Sequence, residues 1–374
     1  MNICIVTQRV TKGDGQGRVN YEVAWEALRR GHSLILLASQ IAPELEQHPQ
    51  AIWVPIGVKH VPTQLLQDLA FSIQSGSWLK QHRSQFDLVK VNGSITRSKA
   101  DVNAVHFVHT SWLKSPMHSW HCRRDLNGAY QWLYSALNAS WERQAFRKAT
   151  TVVAVSEQVR QELLAMGVAS EAIRVILNGI DLQEFHSGEG NRAAFGLPEQ
   201  VPFALFVGDI RTPRKNLETV LRALVQVPTL HLAVVGGTEG SPYLKLAAKL
   251  HLSQRVHFLG QRQDVPDIMR SADMFVFPSR YETFGLVVLE AMASGLPVIT
   301  ASTTGAAQLI TADCGVVLAD PEDTAALIDS LKLLVVDRTR RQQMGVSART
   351  IAENHSWSNT ARQYIDLFEE LVQC

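Results

Sequence analysis

Glu282 and Glu290, eight positions apart, bound the run Glu282-Thr283-Phe284-Gly285-Leu286-Val287-Val288-Leu289-Glu290. Apart from Glu290, residues 284–293 are apolar or glycine. A helix that is apolar on every side is buried, and a carboxylate inside it is costly unless it is paired or hydrogen-bonded. Neighbouring side chains offer Glu290 no partner, so its setting points to a ligand. The plainer reading is a glutamate that caps or bridges core elements. Glu282 or Thr283 can open the helix, and Gly295-Leu296-Pro297 closes it. Free amides in the first turn suit an anion such as a diphosphate. Eight helical residues span about 12 Å. That is the reach from a sugar near Glu282, past a diphosphate, to a ribose whose hydroxyls meet Glu290.

Three other stretches carry candidate chemistry. Gly13-Asp14-Gly15-Gln16-Gly17-Arg18 follows the first apolar run and opens a helical stretch, where glycines let backbone amides approach a phosphate. A dinucleotide fold would want a third glycine, where Val19 and its neighbours stand, and an acidic residue near Leu37-Ala38-Ser39-Gln40. A nicotinamide-dependent dehydrogenase is therefore disfavoured. Gly208-Asp209-Ile210-Arg211-Thr212-Pro213-Arg214-Lys215 puts three cations behind another strand, as a phosphate contact or a solvated loop. His106 and His109 end a strand pattern. Neither this pair nor His118, His121 and Cys122 has a convincing fourth metal ligand, and no Asp-x-Asp motif occurs. No metal site is expected.

These groups need a scaffold. A chain of 374 residues, 46% apolar and 19% charged, is long for one core and reads as two globular domains. Short apolar runs at 2–7, 33–38, 51–56, 87–91, 104–108 and 151–155 alternate with helical patterns, including a long one over 126–148. A second alternation has runs at 203–207, 230–235, 256–259, 274–277, 298–300 and 316–318. Such alternation predicts two parallel sheets with helices on both faces. The polar stretch 183–200 has linker composition, which sets the domains at 1–185 and 186–356, followed by an amphipathic last helix over 357–374. A net charge of +1 argues against a nucleic-acid partner. Residues 1–185 carry 19 basic and 15 acidic residues against 17 and 20 in the rest. This mild bias would suit an anionic acceptor or membrane surface, or is ordinary scatter. Four scattered cysteines (Cys4, Cys122, Cys314 and Cys374) and no signal or spanning segment predict reduced thiols and a cytoplasmic protein. Trp112, Trp120, Arg123 and Arg124 mix aromatics with cations, either at an acceptor or membrane surface or in a long anchored loop.

Glu-x7-Glu in the setting E-T-F-G-L-V-V-L-E-A-M-A-S-G-L-P-V-I resembles the signature of family-4 glycosyltransferases. The resemblance implies the GT-B fold: two Rossmann-like domains, a nucleotide sugar in the cleft between them, and a C-terminal helix crossing back to the first domain. It implies a retaining hexosyltransferase that needs no metal or cofactor. Glu282 would contact the transferred sugar and Glu290 the ribose, with Thr283, Phe284, Gly285 and Leu286 along the donor. Gly15 and Gly17 match the family's glycine-rich loop, and Lys215 its diphosphate lysine. The family's arginine position holds Asp209, which leaves Arg211 as the substitute and Arg214 facing solvent. His109 matches a histidine near the donor sugar, with His106 as the alternative. Ser156-Glu157, Asn178-Gly179-Ile180-Asp181 and Thr303-Thr304-Gly305-Ala306-Ala307 resemble further family motifs, with Gln308 where a glutamate is common. The implied partners are a nucleotide sugar, UDP-linked or GDP-linked, and a carbohydrate or lipid-linked acceptor, with peripheral contact at the inner membrane face. The implied setting is polysaccharide, lipopolysaccharide or glycolipid synthesis. The rival readings are a nucleotide-sugar-binding protein without transferase activity and a GT-B epimerase of sugar nucleotides.

Overall fold

The computed structural model describes residues 1–13, 15–58 and 61–373. Asp14 of the glycine-rich loop and the Cys374 thiol lie outside the described residues. The chain forms two compact units: Met1–Gly179 with Trp357–Cys374, and Ile180–Ser356.

The first unit holds seven strands, all paired in parallel. Their order across the sheet is Ala51–Pro55, Ser33–Ala38, Asn2–Val6, Leu88–Asn92, Val102–Val105, Thr151–Ala154 and Ile173–Val175. The strand order reverses beside Asn2–Val6. Central strands are buried along their length, so they read as continuous apolar runs rather than alternating ones. The strand expected at 104–108 is Val102–Val105; the chain turns into a short helix, His109–Lys114, and frees His106 and His109 from the ladder. The strand Ile173–Val175 had no sequence signal, because three residues are too few to show a period. The stretch around Trp112 is two short helices, His109–Lys114 and Ser119–Cys122, rather than a long loop.

The second unit holds six parallel strands in the order Val256–Gly260, His231–Val235, Phe203–Val207, Met274–Phe277, Val298–Ala301 and Gly315–Leu318. Its order reverses between Phe203–Val207 and Met274–Phe277. The passage between units lies at Gly179–Ile180, earlier than the composition break at 185/186. Ile180 belongs to the second unit because its amide bonds His355 O at 2.9 Å. The polar stretch 183–200 is not a free linker. Arg192 ties it to Ser271 O at 2.8 Å and to Asp273 Oδ2 at 2.7 Å, and Gly190 lies against the Ser271 backbone.

The last helix, Trp357–Gln373, packs on the helix Gly15–Arg29 of the first unit. Tyr364, Ile365 and Phe368 are fully buried there. Arg30 bonds Asp366 at 2.7 Å and Glu369 at 2.9 Å. Among the described residues, no helix is long and apolar enough to cross a bilayer.

Candidate functional site

In open parallel sheets, ligands bind beyond the carboxyl ends of strands where the strand order reverses. In the second unit that place receives two loops, 208–216 after Phe203–Val207 and 278–285 after Met274–Phe277. The loops are stitched together. Arg280 N donates to Arg214 O at 2.9 Å, Ser279 Oγ to Arg214 O at 3.1 Å, and an Arg280 guanidinium nitrogen to Pro213 O at 2.6 Å. Pro213–Lys215 forms a single 3₁₀ turn. Asn216 ends it in the left-handed region, φ 60°, an uncommon conformation outside glycine. Its buried amide donates to Pro321 O at 2.7 Å, and its oxygen caps the next helix, Leu217–Val225.

This frame holds Lys215 against Glu282, whose carboxylate accepts directly from Nζ. Arg214 also reaches that carboxylate, at 3.3 Å. The expectation that Arg214 faces solvent therefore fails, because its backbone is pinned to Ser279 and Arg280 and its guanidinium is drawn to Glu282 and Tyr281 O. Lys215 Nζ lies 5.1 Å over the Phe277 ring. Burial pushes the Lys215 ammonium below its ordinary pKa, opposed by the Glu282 carboxylate.

The helix after Glu282 starts later than the sequence suggests. Gly285, at φ 89°, caps the helix Leu286–Ala293. Glu282 instead bridges to Thr304: its amide bonds Thr303 O at 3.0 Å, while Gly305 N returns to Glu282 O at 2.9 Å. A backbone held in a strand-like bridge cannot also begin a helix. The helical part from Leu286 to Glu290 covers only about 6 Å, and the loop sets the rest of the reach. The first-turn amides of Leu286 and Val287 make no hydrogen bond to another described residue. The C-terminus is a Schellman motif: Gly295, φ 77°, donates to Met292 O, and Leu296 donates to Ala291 O, each at 3.0 Å.

The Glu290 carboxyl has no hydrogen bond or ion pair among the described residues. It keeps some accessible surface, yet the apolar wall around it raises its pKa to about 7. Burial is the main cause, and Glu184 adds to it. A carboxyl with no protein partner, one helical turn from unbonded first-turn amides, has the chemistry to accept hydroxyls next to an anion.

Arg211 takes another position. It bonds Asp209 Oδ1 at 2.8 Å, and its side chain is 62% exposed. The Arg211 guanidinium is the first cause holding the Asp209 carboxyl below its ordinary pKa. Lys215, Arg214 and Glu282 therefore form one cluster, with Thr283, Phe284, Gly285 and Leu286 on the chain leading to Glu290.

Gly15, Gly17 and His109 belong to the first unit. The helix Gly15–Arg29 begins at the glycine-rich loop. Where that sheet's order reverses, a cavity of about 490 Å³ opens, with Gln8, Gln16, Asn92, His106, His109 and Glu142 among its walls. His109 Nδ1 bonds the buried Glu142 carboxylate at 2.6 Å, and its amide bonds the same group at 2.9 Å. Its Nε2 makes no hydrogen bond to another described residue. The neighbouring His106 is held neutral, its pKa near 3, by burial and then by Lys90. Glu142 was not singled out in the sequence. Its signal was present: Ser135, Asn138 and Glu142 place buried polar groups at helical spacing within the helix Leu126–Lys148. Among the described residues, no cluster of histidine, cysteine and acidic groups could hold a metal.

Two family profiles match the chain in succession. Glycosyltransferase Family 4 covers residues 13–184, and Glycosyl transferases group 1 covers residues 188–351. The chain belongs to this family of GT-B-fold glycosyltransferases. It is 32% identical over 244 residues to the D-inositol 3-phosphate glycosyltransferase of Nocardia farcinica, covering 61% of this chain and 54% of that protein. The chain spans about half the length of this and several other curated relatives it matches. Sucrose-phosphate synthase from Thermosynechococcus elongatus shares its fold, with TM-score 0.80 at 21% identity over 99% of this chain and 98% of that one. HepE from Anabaena, in complex with UDP and glucose, does so at TM-score 0.70 and 22% identity, over 98% and 99%.

Proposed function

We propose that the chain moves a hexose from a nucleotide diphosphate sugar, UDP-linked by preference, to an acceptor hydroxyl with retention at the anomeric carbon. The observation that carries this is the Glu290 carboxyl, set among apolar residues and without a partner among the described residues. The ribose hydroxyls would donate to Glu290, and the Leu286 and Val287 amides with Lys215 would hold the diphosphate. Glu282 would hold the transferred sugar. The bond from the anomeric carbon to the diphosphate oxygen breaks as the acceptor oxygen attaches on the same face. The acceptor proton passes to the departing diphosphate. Lys215 and those amides offset the charge that grows there, so the step requires no metal in this reading. His109, its Nδ1 bonded to Glu142, would present Nε2 to a sugar hydroxyl or to the developing positive charge. Gly15 and Gly17 would approach the donor through their backbone. Arg211 would join the diphosphate only by leaving Asp209.

The acceptor class is a glycan or a lipid-linked glycan, in polysaccharide, lipopolysaccharide or glycolipid synthesis on the cytoplasmic side of a membrane. Peripheral contact through the first unit draws support from Leu126 and Trp132, which are 92% and 49% exposed. The Arg123 and Arg124 side chains near them make no hydrogen bond or ion pair to another described residue.

A second reading, a nucleotide-sugar-binding protein without transferase activity, is favoured by the Arg211–Asp209 pair, which withdraws a cation. Incubating the protein with radiolabelled UDP-glucose separates the readings. Transfer or slow hydrolysis, lost in Glu290→Ala and Lys215→Ala, supports the transferase. Binding without turnover supports the alternative. Epimerised donor formed without an acceptor would mark an epimerase.

A further inference from the structure

The cavity of the first unit does not end at its polar walls. Beyond it lies a second, shallower groove of about 570 Å³, and Ser72, Arg97 and Ser98 line both. The two spaces differ in chemistry. The first offers amides, carboxylates and imidazoles, and holds unsatisfied polar atoms: Asn92, 5% exposed, has an unbonded Nδ2, and His106 an unbonded Nε2. The second is walled mainly by apolar atoms, with Ile73 and Leu79 of the helix Gln64–His82 along it. Ile73 is 56% exposed, a large apolar side chain left open to solvent.

The junction is basic. The side chains of Arg97, Lys80 and Lys99 make no ion pair or hydrogen bond to another described residue, whereas Arg83, which also lines the groove, is paired with Asp101 at 2.8 Å. Ser72, only 7% exposed, leaves its hydroxyl without a partner at the same junction. Among the described residues, no carboxylate lines the second groove.

From this order of polar cavity, unpaired cation and apolar groove, we infer that the first unit takes an amphiphilic acceptor. Its polyhydroxylated head fills the 490 Å³ cavity, its phosphate lies against Arg97 and Ser72, and its hydrocarbon chain runs along Ile73 and Leu79. A neutral glycan would leave Arg97, Lys80 and Lys99 without an anion and would leave Ile73 wet. A lipid-linked phosphate satisfies both. The inference rests on the proposed transferase function and specifies its acceptor.

Calorimetric titration of the intact chain tests it with three probes: decyl phosphate below its aggregation point, inorganic phosphate, and decyl maltoside. Decyl phosphate is expected to bind at least tenfold more tightly than either other probe. Arg97→Gln should weaken it roughly tenfold, in line with loss of one charge-assisted hydrogen bond. Ile73→Asp should bring it to the level of inorganic phosphate. Both positions are exposed, so both variants should keep their fold, checked by thermal melting. Equal affinity for decyl phosphate and inorganic phosphate, or unchanged affinity in Arg97→Gln, overturns the inference. UDP-glucose titrated into the unaltered chain separates the two layers of argument. Donor binding without decyl phosphate binding removes the acceptor assignment and leaves the transferase. Decyl phosphate binding without donor binding removes the transferase reading and leaves an alkyl-phosphate site.

Discussion

Two carboxylates, and the groups that do or do not answer them, set the chemistry of the second unit. Glu282 is answered by the protein, through Lys215 and Arg214. Glu290 is not. Its pKa near 7 in the folded protein lies above the ordinary 4.5. Its contribution to the stability of the donor-free protein is therefore full below about pH 4.5 and is lost as the pH rises through about 7. In the proposed complex the ionised form would accept two ribose hydroxyls, so donor affinity should rise between pH 6 and pH 8. Glu290→Gln should flatten that rise, which isothermal titration at several pH values would reveal. Loss of hydrogen bonds to a charged group costs about 1.5–3 kcal/mol each, so Glu290→Ala should weaken UDP-glucose at least tenfold. Lys215→Ala should act on turnover instead, lowering kcat by roughly a hundredfold or more, with donor affinity less affected because the helix-start amides remain. Steady-state kinetics would show that split.

At the scale of elements, the site is a set of loops tied to one another rather than a pocket dug into a core. Gly305 is where the tie is tightest: a Cβ there would stand 2.1 Å from Thr283 O. Gly305→Ala should destabilise the second unit by about 2 kcal/mol or more. Gly285→Ala places a side chain at φ 89°, 2.9 Å from Thr304 Cγ2, and should weaken donor binding as well as stability. Thermal melts with and without UDP-glucose would distinguish the two effects. The strands behind these loops were legible because buried parallel strands are short apolar runs, and Met274–Phe277 and Phe203–Val207 stand where such runs predict. The glutamate motif was legible because its apolar flanks are unusual for a charged residue. Arg214 was not, because its partner Glu282 is distant in sequence; the polar spacing of Ser135, Asn138 and Glu142 marked a helix face, but nothing local tied Glu142 to its distant partner His109. The late helix start at Gly285 was hidden for a similar reason: the bridge from Glu282 to Thr304 depends on a second loop. The fate of the 183–200 stretch turned on Arg192, whose bonds to Ser271 and Asp273 no composition measure contains.

At the scale of the whole molecule, the chain leaves its first unit at Gly179 and returns to it at Trp357. The last helix is thus part of the first unit's core, with Tyr364, Ile365 and Phe368 inside. Ending the chain after Ser356 should unfold or aggregate the first unit while the second keeps a cooperative melting transition, which differential scanning calorimetry would resolve. Each unit carries a candidate site where its own sheet reverses order: the second holds the Lys215–Glu282 cluster and the Glu290 carboxyl, and the first holds the cavity of His109 and Arg97. The central claim is that the donor's ribose satisfies Glu290 while its diphosphate meets Lys215 and the amides of Leu286 and Val287. A crystal structure with UDP-glucose tests this most directly. Both ribose hydroxyls are expected within hydrogen-bond distance of the Glu290 carboxylate, and diphosphate oxygens on Lys215 Nζ and the two amides. A diphosphate bound away from that helix start, with Glu290 facing no ligand, would contradict it.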